Sequence, residues 1–281
     1  MKAQSPQKQS TPLAQEVAQS PAQSVGNTSQ DLLGNAAMVA QMKEPEVEAP
    51  APDKSGLSAA ELEKQRPVNG DVDSGTRQRL MDRLNGAPET VQVLADIKKL
   101  RGDLNFALKW SDRGSYHKSG SISLDRHAAE DAMFATMSHE LVHLHTHLSG
   151  KQGSIKRDDR DTYVTKMMDD EIKAQTTAFV SLLQSGVTKQ ASSAGFDEFY
   201  KLLTSKHKDL LGPELRGSGG GLLAFFSQSE SGPAKTDWDG VKNVAKEFLT
   251  SKFKGGGWVT SNTGDNYYDY YGGFWDQQHK K

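Results

Sequence analysis

The sequence predicts an α+β fold, mainly helical, with a small sheet ahead of one key helix. Two segments, 104–110 and 121–124, alternate apolar and polar residues, as half-buried strands do. Two later segments, 128–148 and 161–184, repeat apolar residues at three- and four-residue steps, as amphipathic helices do. Composition adds a third constraint. Hydrophobic residues make up 35% of the 281, and the mean hydropathy is −0.67, which is too polar for a chain that is globular throughout. Part of the chain is therefore expected to be disordered, with the rest supplying the core of one or two domains.

Residues 1–28 are rich in Gln, Ser, Pro and Ala and read as disordered. The stretch 31–42 forms an isolated apolar island, expected as one short helix that either docks a partner or packs on the main domain. Residues 43–56 return to Pro, Glu and Ala and read as a linker. The leader is thus 1–56, and the folded domain begins near residue 57. Short helices are expected at 58–65 and 77–84. A better one spans 88–100, where Pro88 suits the first turn and Val91, Val93, Leu94, Ile97 and Leu100 give an apolar stripe. The strand at 104–110 follows, then a polar turn at 111–115, then the strand carrying Ile122 and Leu124.

The helix at 128–148 presents Phe134, Met137, Leu141, Leu144 and Leu148 on one buried face, with His139, His143 and His147 as a second stripe. Ser149-Gly150 ends it. The helix at 161–184 turns Val164, Met167, Met168, Ala174, Ala178 and Leu182 inward. Shorter helices are expected at 196–205 and 238–253. Between them lie the Gly-rich stretch 217–221 and an apolar run, 222–226. The chain closes on the aromatic, Gly-rich segment 267–275, which can line a cleft, pack on the core or dock a partner.

A net charge of −2 gives no bias toward nucleic acid or anionic membrane. With no cysteine, disulfides, thiolate metal sites and a cysteine nucleophile are excluded. The N-terminus lacks the apolar core of a secretory signal, and no run reaches the roughly 18 apolar residues of a membrane span. The protein is expected to be soluble when made; if it is exported, the route does not need a Sec signal.

The chemistry is concentrated in Ser138-His139-Glu140-Leu141-Val142-His143. Histidines four residues apart on a helix share a side and can bind one zinc ion, and the glutamate between them can serve as general base toward water. The motif alone arises by chance in about one chain per hundred of this length, so its surroundings matter. Four of the eight histidines (His139, His143, His145 and His147) fall in this one segment, which favours a metal over scattered surface residues. A zinc site without thiolates needs a third His or carboxylate ligand. Glu171 is the first choice, because a carboxylate on the apolar stripe of the 161–184 helix is costly unless paired or metal-bound. His147 is the rival, although it lies about 12 Å from His139 along the helix axis. Asp169 and Asp170 point elsewhere, with Asp170 a candidate partner for a ligand histidine. His145 is expected to face solvent or to support the ligands. Tyr163, His117 and the tail tyrosines are candidates for stabilising an oxyanion.

The stretch from Ser121 to about Leu183 resembles the catalytic core of gluzincin-type metallopeptidases, especially the small zinc peptidases found as bacterial toxins and injected effectors. The resemblance rests on the His139–His143 motif and on Asp170-Glu171-Ile172-Lys173-Ala174-Gln175, where such families carry a Glu-x-x-Ala-like third-ligand helix. The longer metzincin pattern is absent, since Thr146 and Ser149 stand at its glycine and last histidine positions. The resemblance implies a zincin-like domain over 57–281, with a catalytic core at about 104–185. It also implies zinc on His139, His143 and Glu171, with Glu140 as base, and a protein or peptide substrate. Zincins place an edge strand just before the motif helix, along which substrate backbone pairs, so the strand at 121–124 is expected at an edge. The segment 32–42 resembles leaders of cargo linked to phage-tail-like contractile injection systems, which implies a bacterial effector loaded by its N-terminus onto a secretion or injection apparatus. Two alternatives stand beside this reading: a non-catalytic binding or structural component of such a particle, and a zinc hydrolase acting on a non-peptide bond.

Overall fold

A computed structural model describes residues 70–104, 106–111, 115–117, 120–188, 195–216, 235–258 and 265–280. In chain order the elements are β1 (Gly70–Asp71), α1 (Ser74–Gly86), α2 (Pro88–Arg101), β2 (Ala107–Ser111), β3 (Ser115–His117) and β4 (Ser121–Asp125). These are followed by α3 (Glu130–Leu148), α4 (Arg160–Gln184), α5 (Phe196–Lys206), a single 3-10 turn (Lys208–Leu210), α6 (Pro213–Arg216), α7 (Trp238–Lys254) and α8 (Tyr267–His279). The expected α+β class holds: a small sheet precedes the motif helix, and the rest is helical. The leader with its apolar island at 31–42, the helix at 58–65, and the Gly-rich and apolar runs at 217–226 lie outside the described residues.

Local chemistry sets the helix ends. Asp73, Asp159, Asp237 and Asn266 each accept a hydrogen bond from a backbone N–H in the first turn, starting α1, α4, α7 and α8. Pro88 opens α2, and Gly102 ends it at φ 88°, a left-handed conformation that costs glycine little. α3 lacks a side-chain cap but has Glu130 and Asp131 in its first turn. Arg79 on α1 pairs with Glu130 at 2.9 Å, Arg83 pairs with Asp131 at 2.8 Å, and the Arg83 guanidinium lies 4.4 Å from the Phe134 ring centre. These contacts fix the start of the motif helix against α1.

The sheet runs in the order β1-β2-β4-β3. β2 and β4 are parallel, with Leu108 opposite Ile122 and Trp110 opposite Leu124. β1 lies antiparallel on β2, and β3 antiparallel on β4. Two expectations are corrected here. β4 is paired on both sides and is an interior strand, so the sheet edge beside the motif helix belongs to β3. The polar turn is also shorter than expected, because Ser115–His117 pairs with β4 as that edge strand. The local sequence is polar there because an edge strand needs backbone partners more than apolar side chains.

In α2 the buried side is Thr90, Leu94 and Ile97, while Val91 and Leu100 of the expected stripe are exposed. The helix turns its Thr90 side inward, where the hydroxyl donates to Ala87 O at 2.9 Å. α4 is the hub, packing against α3, α7, α8 and α2. α3 is enclosed by the sheet and by α1, α2 and α4, and it is buried continuously from Ala132 to Leu144. Of the histidine stripe, His139 and His143 are therefore packed inside, while His147 is half-buried. The Gly-rich aromatic tail forms a helix, α8, and buries Tyr267 and Tyr271 in the core.

Candidate metal centre

His139 and His143 lie one turn apart on α3, with their rings edge to face and centroids 4.6 Å apart. Their Nε2 atoms converge to 2.9 Å. Across from them, on α4, Glu171 Oε2 sits 3.5 Å from His139 Nε2 and 3.6 Å from His143 Nε2. All three residues are buried, His143 completely. The point equidistant from these atoms lies about 1.9 Å from each, close to the bond length of a first-row divalent ion to imidazole or carboxylate. His139, His143 and Glu171 therefore form a buried group that can hold a metal ion.

The other ring nitrogens decide what the group needs. His143 Nδ1 lies 2.7 Å from Asp170 Oδ2, and His139 Nδ1 lies 3.1 Å from Gln175 Oε1. Both partners are acceptors, so each Nδ1 carries its proton and donates it. Each neutral ring is then left with a lone pair on Nε2. Two such lone pairs and a carboxylate oxygen face one another in a buried site, an arrangement that is repulsive without a positive charge at its centre. Two cations can supply that charge: a proton on His143 Nε2 shared toward His139, or a metal ion bound by all three.

The titration behaviour follows from the same contacts. Burial would lower the His143 imidazole, but the charges of Asp170 and then Glu171 raise it well above the ordinary histidine value. Burial lowers His139. Burial would raise the Glu171 carboxyl, yet the charge of His143 and hydrogen bonds from both histidines hold it well below the usual carboxylate range. Glu171 Oε1 accepts a hydrogen bond from Tyr271 Oη at 2.5 Å. Burial, and then the Glu171 charge, push the Tyr271 phenol well above its ordinary value, so it remains a donor.

The expected residues sort clearly. His139, His143 and Glu171 come together, and Asp170 supports His143 as anticipated. Glu140 is buried beside them on α3, and its charge, after burial and the Glu171 charge, helps raise the buried Tyr267 phenol. The rival ligand His147 stands outside the group: its Nδ1 is 3.4 Å from Gln152 Oε1 in the loop after α3. His145 is half-buried and feels Lys173 and Asp96. Asp169 is exposed. Tyr163 is buried against the Tyr271 ring, with centroids 6.4 Å apart. The side chain of His117 lies outside the described residues.

Sequence reasoning missed Gln175, and it reached Tyr271 only among the tail tyrosines as an oxyanion candidate, not as a partner of Glu171. Gln175 left a signal, as a polar residue one turn after Glu171 and next to Ala174 on the apolar stripe. Nothing local set Tyr271 apart from the other tail tyrosines, because its contact with Glu171 spans 100 residues. No helix among the described residues is long and apolar enough to cross a membrane. No protein-family model, curated protein or solved structure matches the chain.

Proposed function

We propose that the chain is a zinc-dependent metallopeptidase of zincin-like fold that hydrolyses peptide bonds in a protein or peptide substrate. One observation carries this reading. Three buried donor atoms, on His139, His143 and Glu171, converge at metal-bonding distance, and both histidines are anchored through their far nitrogens. The donor set of two imidazoles and a carboxylate suits zinc, whose bonds to such ligands run about 2.0–2.1 Å. Zinc held there supplies a Lewis acid that acidifies water and polarises a carbonyl.

The remaining chemistry belongs to the chain. Glu140 follows His139 directly, and its carboxylate takes the proton of the attacking water and passes it to the leaving amine. Asp170 and Gln175 fix the imidazole tautomers, so that Nε2 of each ring is presented as a lone pair. Among the described residues β3 pairs only with β4, which leaves one backbone edge of the sheet next to α3 for an added strand. An extended peptide binds such an edge through its own backbone groups, which favours a peptide substrate over a small ester. Delivery as a bacterial toxin or injected effector rests on two sequence resemblances, that of the His139–His143 and 170–175 motifs and that of the leader segment 32–42.

The test is zinc content by elemental mass spectrometry, followed by hydrolysis of a peptide and ester panel. About one zinc per chain is expected, with Glu140→Gln keeping the zinc while peptide hydrolysis falls by about 10²–10⁴-fold. Ester cleavage without peptide cleavage would move the reading to a hydrolase of another bond. A purified chain that holds no zinc after incubation and desalting would end it.

A further inference from the structure

The C-terminal helix does more than cover the core. Of the two oxygens of Glu171, Oε2 faces both histidine Nε2 atoms, and Oε1 is taken by the Tyr271 hydroxyl at 2.5 Å. We propose that Tyr271 is a positioning residue for the metal centre: by holding Oε1 it presents Glu171 to the metal through Oε2 alone and fixes the carboxylate's rotation. The inference rests on the metal-centre reading above and adds a residue from a different helix to it.

The phenol is held firmly enough for that role. Its ring packs edge-on against Tyr163 and Tyr270, with centroids 6.4 and 5.3 Å away, and against Tyr267 at 6.2 Å. α8 itself is clasped to the start of α4, the helix that carries Glu171. Arg160 Nε pairs with Asp276 Oδ1 at 3.0 Å, and Trp275 Nε1 donates to Asp158 O at 3.2 Å. Gly272 lets the Arg160 guanidinium lie against the helix, because a Cβ at that position would come within 2.8 Å of Arg160 Cζ. These contacts dock α8 on α4, so that the hydroxyl and the carboxylate it holds move together. A buried carboxylate with one oxygen occupied by a strong donor has one oxygen left to coordinate, which favours single-oxygen ligation.

The experiment compares the full-length chain with Tyr271→Phe and with Tyr268→Phe. Tyr271→Phe keeps the ring and its packing, and circular dichroism checks the fold. Tyr268 is half-buried on the same helix, and its phenol is raised by burial and then by the Asp169 charge rather than by Glu171. Zinc affinity is read by competition with a chromophoric chelator, and ligand geometry by the visible absorption of the cobalt(II) form. Tyr271→Phe is expected to lower zinc affinity by about tenfold and to change the position or intensity of the cobalt bands, with Tyr268→Phe matching the parent in both. A parent chain that binds metal while Tyr271→Phe keeps its affinity and spectrum overturns this inference alone. A parent chain that binds neither metal overturns the metal reading and this inference with it.

Discussion

The middle and the C-terminal end of α3 carry similar residues in different surroundings. His139 and His143 lie in its buried middle, while His145 and His147 sit half-buried in its last turn. On the sequence alone His147 continues the four-residue stripe as well as His143 does. The difference lies in what faces each ring. The inner pair have Gln175 and Asp170 on their Nδ1 atoms and Glu171 in front of their Nε2 atoms, all from α4. In the outer pair, His147 lies beside Gln152 of the loop, and His145 is governed by burial and then by the charges of Lys173, Asp96, Lys151 and Asp170, with no acceptor matched to its ring among these. Spacing makes a histidine a candidate ligand, whereas a second helix carrying matched acceptors builds a buried group that can hold a metal.

The largest expected effect comes from breaking the inner pair. His143→Ala removes one donor and also strips Asp170 and Glu171 of their buried cationic partner. Zinc retained after dialysis should fall from about one per chain to none, a loss beyond the 10–100-fold typical of an outer-shell partner. In protein treated with chelator near pH 6, the variant should also be less stable by about 3–5 kcal/mol, the usual cost of leaving a buried charge unpaired. Chemical denaturation measures this. Equal stability of variant and parent would mean that the Asp170 and Glu171 charges are not balanced through His143.

A smaller effect follows from the competition between a proton and a metal for the same lone pairs. In chelator-treated protein the raised His143 contributes stability that is fully present below its unfolded value of about 6.5 and is lost as pH rises through its higher folded value. His139, lowered by burial, acts in the opposite sense, its contribution being lost as pH falls below the same unfolded value. Glu171, held low, contributes above the ordinary carboxylate range and loses this only in acid, so it does not change across this window. A metal ion bound there would displace the proton from His143 Nε2, so its binding would be favoured as pH rises. The rise in melting temperature on adding zinc should be larger at about pH 8 than at about pH 6. An increment independent of pH would show that no proton leaves the site on loading.

Much of this was legible in the sequence, for physical reasons. The two long helices, the strands flanking the turn and the grouping of His139, His143 and Glu171 follow from periodicity and from the cost of a carboxylate on an apolar stripe. Asp170 was legible as a partner because it neighbours Glu171 on the same helix. The edge position of β3 was not legible, because strand order depends on pairings that no local pattern encodes. The exposed Val91 and Leu100 mislead for a related reason: an apolar stripe gives a helix a face but does not say how much of it the neighbours cover. Tyr271 marks the limit of local reading. A helix containing Gly272-Gly273 and four tyrosines has weak propensity, and it forms here because Asn266 caps it and its aromatic face finds the core.

The smallest expected effect tests the outer pair directly. His147→Ala removes a half-buried ring whose Nδ1 faces Gln152 and which takes no part in the convergent donor set. Zinc stoichiometry and the cobalt spectrum should match the parent, and stability should change by no more than about 0.5 kcal/mol, as for a substitution away from the core. Its counterpart is Glu171→Gln, which keeps the shape of the third ligand but removes the negative charge that stabilises a cation between the histidines, and which should bind zinc markedly less tightly. The pair of variants discriminates because the two candidates lie on different helices: only Glu171 is reached from α4 and held by Tyr271. If zinc were lost on His147→Ala and kept on Glu171→Gln, the third ligand would belong to the last turn of α3, and the contrast between the middle and the end of that helix would collapse.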